Sequence, residues 1–317
     1  MTQPLQADAS QLARVLDAPA LRAALAAMFR DGCEVPVRHH HTVAAGTGPD
    51  ATLLLMPAWQ PGRFLGVKVV NVFPGNGALG LPAVQGTYLL FDGRTGVLLA
   101  TLDGNELTAR RTAAASALAA SYLAAPEADS LLVAGTGRLA PHLARAHAAV
   151  RPLKRIAIWG RDGGKAAQVA ATLRAEGLPA QAAPDLRAAV GEARMVSCAT
   201  LSRAPLVQGA WLRPGTHLDL VGGFTPEMRE ADDEAVRRAS VFVDAPGALS
   251  EAGDIVLPMR SGALRTGGVL ANLAALVRGE HPGRRTADEI TLFKSVGTAE
   301  EDLAAAVLAF GRLRAPE

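Results

Sequence analysis

Apolar positions change their period twice along the chain. In SQLARVLDAPALRAALAAMFRDG, Leu12, Val15 and Leu16, then Leu21, Leu25 and Met28, recur at helical spacing, predicting two helices separated near Pro19. From Glu34 the runs shorten: EVPVRHHHTVAA, ATLLLMPAW, FLGVKVVNVF, GTYLLFD and GVLLATLD are β-rich and divided by Gly, Pro, Asp and Asn. Such runs predict an antiparallel or mixed sheet, with DGRTG as a hairpin turn. LDGNELTARRTAAASALAASYLA predicts a long alanine-rich helix. Beyond it, LLVAG, IAIWG, MVSCAT, HLDLVG and VFVDA read as strands buried on both faces. LAPHLARAHAAV and KAAQVAATLRAEG lie between the first of them as helices, an alternation that predicts a doubly wound parallel sheet. The tail, ADEITLFKSVGTAEEDLAAAVLAFGRL, reads as a short apolar run, a glycine turn and an amphipathic helix returning to the first domain. The expected organisation is an α+β domain of residues 1–115 with 286–317, and an α/β domain of residues 116–285.

Composition narrows the class. Of 317 residues, 49% are apolar and 20% charged, with 32 basic against 30 acidic side chains and a net charge of +2. That near balance offers no footprint for nucleic acid, and no acidic tail is present. Cys33 and Cys198 match no metal-ligand spacing and cannot frame a chain of this size, so a reducing cytoplasm is expected. The N-terminal segment lacks a basic region followed by an apolar run, so no secretory signal is expected. No window reaches the roughly 18 uninterrupted apolar residues of a membrane span. His39, His40 and His41 are consecutive on an expected strand and alternate between its faces, so no metal site is expected there. Cys198 has no neighbouring histidine and reads as a small core residue.

Two stretches carry chemistry. In GVKVVNVF, Lys68 lies between Val67 and Val69 in a strand that should be buried. An ammonium group is costly to bury alone, so Lys68 either points to water from an edge strand or lines a binding cleft. In LLVAGTGRLAPHLARA, Gly135, Gly137 and Ala140 form G-x-G-x-x-A between a strand and a helix. The first glycine permits a tight turn, the second admits a pyrophosphate, and the small third residue lets the helix pack closely. The next strand ends at Trp159 and meets Gly160 and Arg161, where an NAD-binding domain usually places a carboxylate for the ribose. Glycine leaves room for a 2′-phosphate and arginine can pair with it, so NADPH is favoured, with NAD(H) still possible and Asp162 the residue that speaks for it.

Taken together, GVKVVNVFPGN, GLPAVQGTYLLFD, LDGNELTARRTAAASALAA, GTGRLAPHLARA, VGGFTPEMREADDE, EAGDI and ITLFKSVGTAEEDLA resemble, in order, the ornithine cyclodeaminase/μ-crystallin family. That resemblance implies a homodimer, with a Rossmann-type nucleotide domain and a first domain used for substrate binding and dimerisation. It implies that Lys68 meets the substrate's carboxylate or imine, that Arg38 clamps the carboxylate, and that Arg111 reaches the cofactor phosphates. It places Arg138 and Leu139 beside the pyrophosphate, although a glutamine is frequent where Leu139 stands. Leu218, Asp219 and Leu220 match the strand end passing the nicotinamide ribose, and Ser295 and Val296 the loop beside nicotinamide and substrate.

The chain also departs from the family pattern. Ornithine cyclodeaminases read G-G-D where this chain reads Gly222-Gly223-Phe224, so the proposed proton-shuttle aspartate is missing. Ala83 replaces a cofactor-contacting threonine. A general-acid role for Asp219 stays open, and Glu227 does not clearly take the missing place. Reduction of a preformed cyclic imine needs a hydride, a carboxylate clamp and one proton, a smaller demand than cyclodeamination. The expected activity is therefore an NAD(P)H-dependent reductase of Δ1-pyrroline-2-carboxylate, its piperideine homologue, or both. Phe224 would then form an apolar wall against the ring, or merely pack the loop. Ornithine cyclodeamination, alanine dehydrogenation and non-catalytic nucleotide-dependent ligand binding are the alternatives.

Overall fold

The structure, a computed structural model, describes residues 3–46 and 48–315. The chain divides into two compact units, one running to Arg111 and resuming at Thr298, the other Thr112–Gly297.

The first unit contains β1 (Leu5–Ala7), α1 (Ala9–Val15), α2 (Ala18–Asp31), β2 (His39–Val43), β3 (Ala51–Gln60), β4 (Phe64–Val72), β5 (Val84–Asp92), β6 (Leu98–Asp103), the start of α3 (Gly104–Leu123), and the final helix α11 (Ala299–Arg314). Asp8 caps α1 by accepting from the Gln11 amide, and Gln11 answers by accepting from the Asp8 amide, a reciprocal capping box. The break between α1 and α2 falls at Leu16–Asp17. Pro19 sits inside the first turn of α2, where its missing N–H costs no helical bond, so it opens the second helix rather than dividing the two.

Six strands pair in the order β1-β6-β5-β4-β3-β2, antiparallel except for β1 beside β6. Strand β4 is held between β3 and β5 and is not an edge. Its alternation buries Gly66, Lys68 and Val70, and α11 packs on this strand. Gly66 is required there, because a Cβ would fall 1.9 Å from the Tyr88 hydroxyl.

The second unit takes the rest of α3, then β7 (Ser130–Ala134), α4 (Leu139–Ala148), β8 (Arg155–Trp159), α5 (Gly163–Ala175), β9 (Ala180–Ala182), α6 (Leu186–Glu192), β10 (Met195–Cys198) and β11 (His217–Leu220). It continues through α7 (Asp233–Arg238), β12 (Ala239–Val243), α8 (Ala248–Glu251), α9 (Gly253–Ser261), β13 (Val269–Asn272), α10 (Leu273–Val277) and β14 (Ile290–Lys294). All eight strands are parallel, in the order β13-β12-β14-β11-β10-β7-β8-β9. The fold is thus α/β with a Rossmann-type doubly wound sheet, and Leu132, Val196, Leu218, Leu220 and Leu292 form part of its core.

One expectation needs correction here. Residues 286–317 were expected to return to the first domain as a block, yet β14 lies inside the parallel sheet between β11 and β12. All five of its residues are buried, as a strand covered on both faces requires. Only the helix beyond Gly297 belongs to the first unit. Strands β9 and β13 are short and only partly buried, and neither is among the strands expected from the sequence. Among the described residues, no helix is long and apolar enough to cross a membrane.

Candidate functional site

In the first unit, β4, α3 and α11 bring two cations and two carboxylates into one buried cluster. Lys68 Nζ lies 2.7 Å from Asp302 Oδ2. Arg111 donates from Nε to Asp302 Oδ1 at 2.7 Å and from Nη1 to Glu301 Oε2 at 2.6 Å. Lys68 is 2% exposed, so the solvated edge-strand reading fails. Burial draws the Lys68 ammonium down to about 8, with Asp302 opposing that shift and the charges of Arg111 and Arg38 adding to it. Arg38 itself is half-buried just ahead of β2. Burial also acts to raise the Asp302 carboxyl, but Arg111 and Lys68 outweigh it and hold the group below its usual range. Removing one member of such a buried ion cluster costs about 3–5 kcal/mol, because its partner is left charged and unpaired.

Glu301 and Asp302 were not among the residues expected from the sequence. Three acids, Glu300, Glu301 and Asp302, stand in the first turn of α11, where they read as ordinary compensation of the helix dipole. The signal was on the other side: a buried Lys68 demanded a carboxylate somewhere. Arg111, expected at the cofactor phosphates, has two of its nitrogens engaged by these carboxylates. Tyr88, directly across from Lys68 on β5, is buried, and burial pushes its phenol up. Cys33, pushed up to about 12 by burial and by Glu300, is no thiolate nucleophile at neutral pH.

The second unit carries a turn built from backbone. Gly135 adopts φ 141°, and a Cβ there would meet the Ala199 carbonyl oxygen at 2.6 Å. A Cβ on Gly137 would point into open space, leaving the backbone approachable. Ala140 is buried against the sheet, Leu139 is half-buried and Arg138 is exposed. Helix α4 begins without a side-chain cap, whereas Asp162, Asp185, Asp232 and Asn272 cap α5, α6, α7 and α10. An uncapped helix start behind a glycine turn suits a pyrophosphate, whose oxygens can accept from the first-turn amides. At the end of β8, a Cβ on Gly160 would strike Thr136 Cγ2 at 2.6 Å, so that residue is held to glycine by packing. Arg161 is exposed, and Asp162 accepts from the Lys165 amide at 3.1 Å. These residues fit a dinucleotide.

The strand ends behave differently from expectation. Leu218 and Leu220 are core residues, so only their backbone could pass a ribose. Asp219 is 1% exposed and accepts from Ser116 at 3.0 Å and Ser197 at 2.6 Å, with His147 Nε2 at 3.4 Å. Burial works to raise its carboxyl, but the hydrogen bond and charge of His147 and its other partners hold it low. Asp219 thus serves as an internal acceptor, with Ser116 on one oxygen and Ser197 and His147 on the other. Ser295 donates its hydroxyl to Asp244 at 2.9 Å and its amide to the Leu220 carbonyl. The amides of Val296 and Gly297 also donate to Asp244, which thereby fixes this loop. Phe224 is 43% exposed, and Ala83 and Glu227 are also exposed. Beneath the Phe224 turn, Glu230 accepts from the Gly222 amide and from Thr200, and Asp254 lies 3.2 Å from Lys294 Nζ. Both carboxylates are fully buried and bonded to protein groups. The histidines of β2 are exposed.

A glycine turn between the first strand and helix of a doubly wound sheet defines a dinucleotide-binding α/β protein. Within that class the chain belongs to the ornithine cyclodeaminase/μ-crystallin family, whose model matches residues 8–316. It is 43% identical over 277 residues to a Δ1-pyrroline-2-carboxylate reductase of Paracoccus denitrificans, covering 87% of each chain. It is 35% identical over 297 residues to the ketimine reductase μ-crystallin of Mus musculus, covering 92% of this chain and 90% of that one. Among solved structures it resembles the Thermococcus litoralis Δ1-pyrroline-2-carboxylate reductase in complex with NADH and L-proline. The TM-score is 0.91 at 33% identity, with 97% of both chains covered.

Proposed function

We propose that the protein is a nicotinamide-dependent reductase of cyclic imino acids, converting Δ1-pyrroline-2-carboxylate to L-proline, Δ1-piperideine-2-carboxylate to L-pipecolate, or both. The observation that carries this reading is the state of the carboxylates around the Phe224 turn. The family's shuttle position holds Phe224, Asp219 is sealed by Ser116, Ser197 and His147, and Glu230 and Asp254 are tied to backbone and Lys294. Cyclodeamination needs an acid/base group that can exchange protons with substrate, and although burial pushes Glu230 up to about 7, its carboxylate, like those of Asp219 and Asp254, is engaged inside the protein. The reductases among the relatives support the same reading.

In this reading Arg38 holds the substrate carboxylate, a planar anion that a guanidinium fits in two-point fashion. Lys68 meets the imine region. Arg111 acts by fixing Asp302 and Glu301 instead of reaching phosphate, and Val296 and Phe224 border the ring. When bound, the reduced nicotinamide supplies hydride to the imine carbon. Gly135, Gly137, Arg138, Leu139 and Ala140 cradle the pyrophosphate, while backbone at Leu218–Leu220 and the Ser295 carbonyl face the nicotinamide end. Gly160 and Arg161 accommodate a 2′-phosphate, making NADPH the preferred cofactor, because Asp162 spends its carboxylate on capping α5. Exposed Val35, Val37, Leu79, Leu81 and Val84 in the first unit support a homodimer, and the free thiols of Cys33 and Cys198 support work in a reducing cytoplasm.

The test follows NADPH and NADH absorbance with purified protein and each imine, beside ammonia release from L-ornithine with NAD. Rapid NADPH oxidation without ammonia is expected. Ammonia from ornithine would overturn the reading, and tight cofactor binding with neither reaction would replace it with a ligand binder.

A further inference from the structure

The Asp302 carboxylate bridges two cations, taking Lys68 on Oδ2 and Arg111 on Oδ1, each at 2.7 Å. All three groups are at least nineteen-twentieths buried, and nothing in the proposed chemistry requires a carboxylate at this point. A lysine buried on a central strand tends to shed its proton, since desolvation penalises the ammonium. A carboxylate in direct contact reverses that tendency, and its second oxygen is anchored by Arg111, so it cannot swing away. Glu301, on the neighbouring residue of α11, neutralises Arg111 at 2.6 Å.

We infer that Asp302 is a positioning residue that keeps Lys68 protonated and aimed, so that Lys68 is the proton source for the imine nitrogen. This rests on the reductase reading. As the imine carbon receives hydride, the π pair of the C=N bond passes to nitrogen, which takes a proton from Lys68 Nζ. The imine is reduced to an amine, and the reduced dinucleotide is the reductant, oxidised by loss of the hydride. Lys68 is left neutral beside Asp302 and regains its proton from water. The charged and titratable groups around Lys68 are Asp302 and Glu301 on α11, Arg111 on α3, Tyr88 on β5 and Arg38 ahead of β2, with Cys33 and Glu300 beyond Tyr88.

The chain has four lysines, Lys68, Lys154, Lys165 and Lys294, so the cofactor-free protein with 13Cε-labelled lysine yields a countable set of NMR titrations. Lys68→Arg identifies the signal. In the unsubstituted protein Lys68 should titrate near 8, against an ordinary lysine near 10.4. Asp302→Asn should lower that titration by about one unit or more, roughly tenfold in proton affinity, and Arg111→Gln should raise it. A merely structural disturbance would move both variants in the same direction. The descending basic limb of kcat/KM should follow each titration, with Asp302→Asn acting on kcat more than on KM. Should Asp302→Asn not fold, Asp302→Glu, which keeps the charge but displaces it from Lys68, decides the matter by a smaller downward shift. An unmoved Lys68 titration in either variant, or a basic limb that ignores it, overturns the inference. Absence of imine reduction by the unsubstituted protein overturns instead the reading on which it rests, and that assay is made separately.

Discussion

The two units handle polar chemistry in opposite ways. The first concentrates side-chain charge: Lys68, Arg111, Glu301 and Asp302 are buried together and matched pair by pair. The second builds its dinucleotide cradle from main chain, with Gly135, Gly137 and Gly160 shaping it and exposed Arg138 and Arg161 at its margin. The second unit also buries ions, such as Asp254 beside Lys294, beneath the Phe224 turn. The difference teaches that substitutions in the first unit should damage reaction and stability together, whereas those in the cradle where a side chain has room, as at Gly137, should damage cofactor affinity alone.

Lys68→Met tests the first half most severely. It removes the ammonium and leaves Asp302 with one buried partner fewer, so kcat/KM should fall roughly 10³-fold, within the range of a lost general acid. The melting temperature should drop with it, as expected for about 3–5 kcal/mol. Steady-state kinetics beside calorimetry reads both, and unchanged melting would break the coupling.

Gly137→Val tests the second half. Its Cβ would enter open space, so the melting temperature should stay within a few degrees, while the side chain obstructs the pyrophosphate. The cofactor Kd should rise by about 100-fold, close to 3 kcal/mol, measured by fluorescence titration. A stability loss comparable with that of Lys68→Met would remove the contrast.

The pH profile sharpens the comparison. Lys68 is charged below about 8 and neutral above it, because burial has lowered it from its ordinary value. The charged form is the proton donor, so kcat/KM should be level below pH 8 and fall about tenfold per unit above it. Cofactor Kd over the same range should not follow that curve.

The smallest effect belongs to Arg161→Gln. Losing one exposed arginine from a 2′-phosphate should weaken NADPH about tenfold at low salt and leave NADH unchanged, separable by paired titrations. Equal weakening of both would show that Arg161 does not read that phosphate.

Much of this molecule is legible from local patterns. The G-x-G-x-x-A turn, the apolar runs of the parallel sheet and the alternation of β4 are short-range features with fixed periods. The placement of β14 was not legible, because ITLFK is an apolar run equally consistent with either unit, and only its pairing with β11 and β12 assigns it. The roles of Asp219 and Asp302 were likewise hidden. Each carboxylate takes its meaning from partners far away in the chain, Ser116 and His147 for one, Lys68 and Arg111 for the other.

By itself, the sequence determined the class of fold, the dinucleotide turn, the family and the candidate cations, since each depends on residue types at close spacing. Tertiary structure alone decided that Lys68 lies on a central strand, that Asp302 bridges it to Arg111, and that Asp219 is an internal acceptor. Burial and ion pairing act through space and at short range, so groups almost two hundred residues apart in the chain determine one another's charge only once folding has brought them within hydrogen-bonding distance.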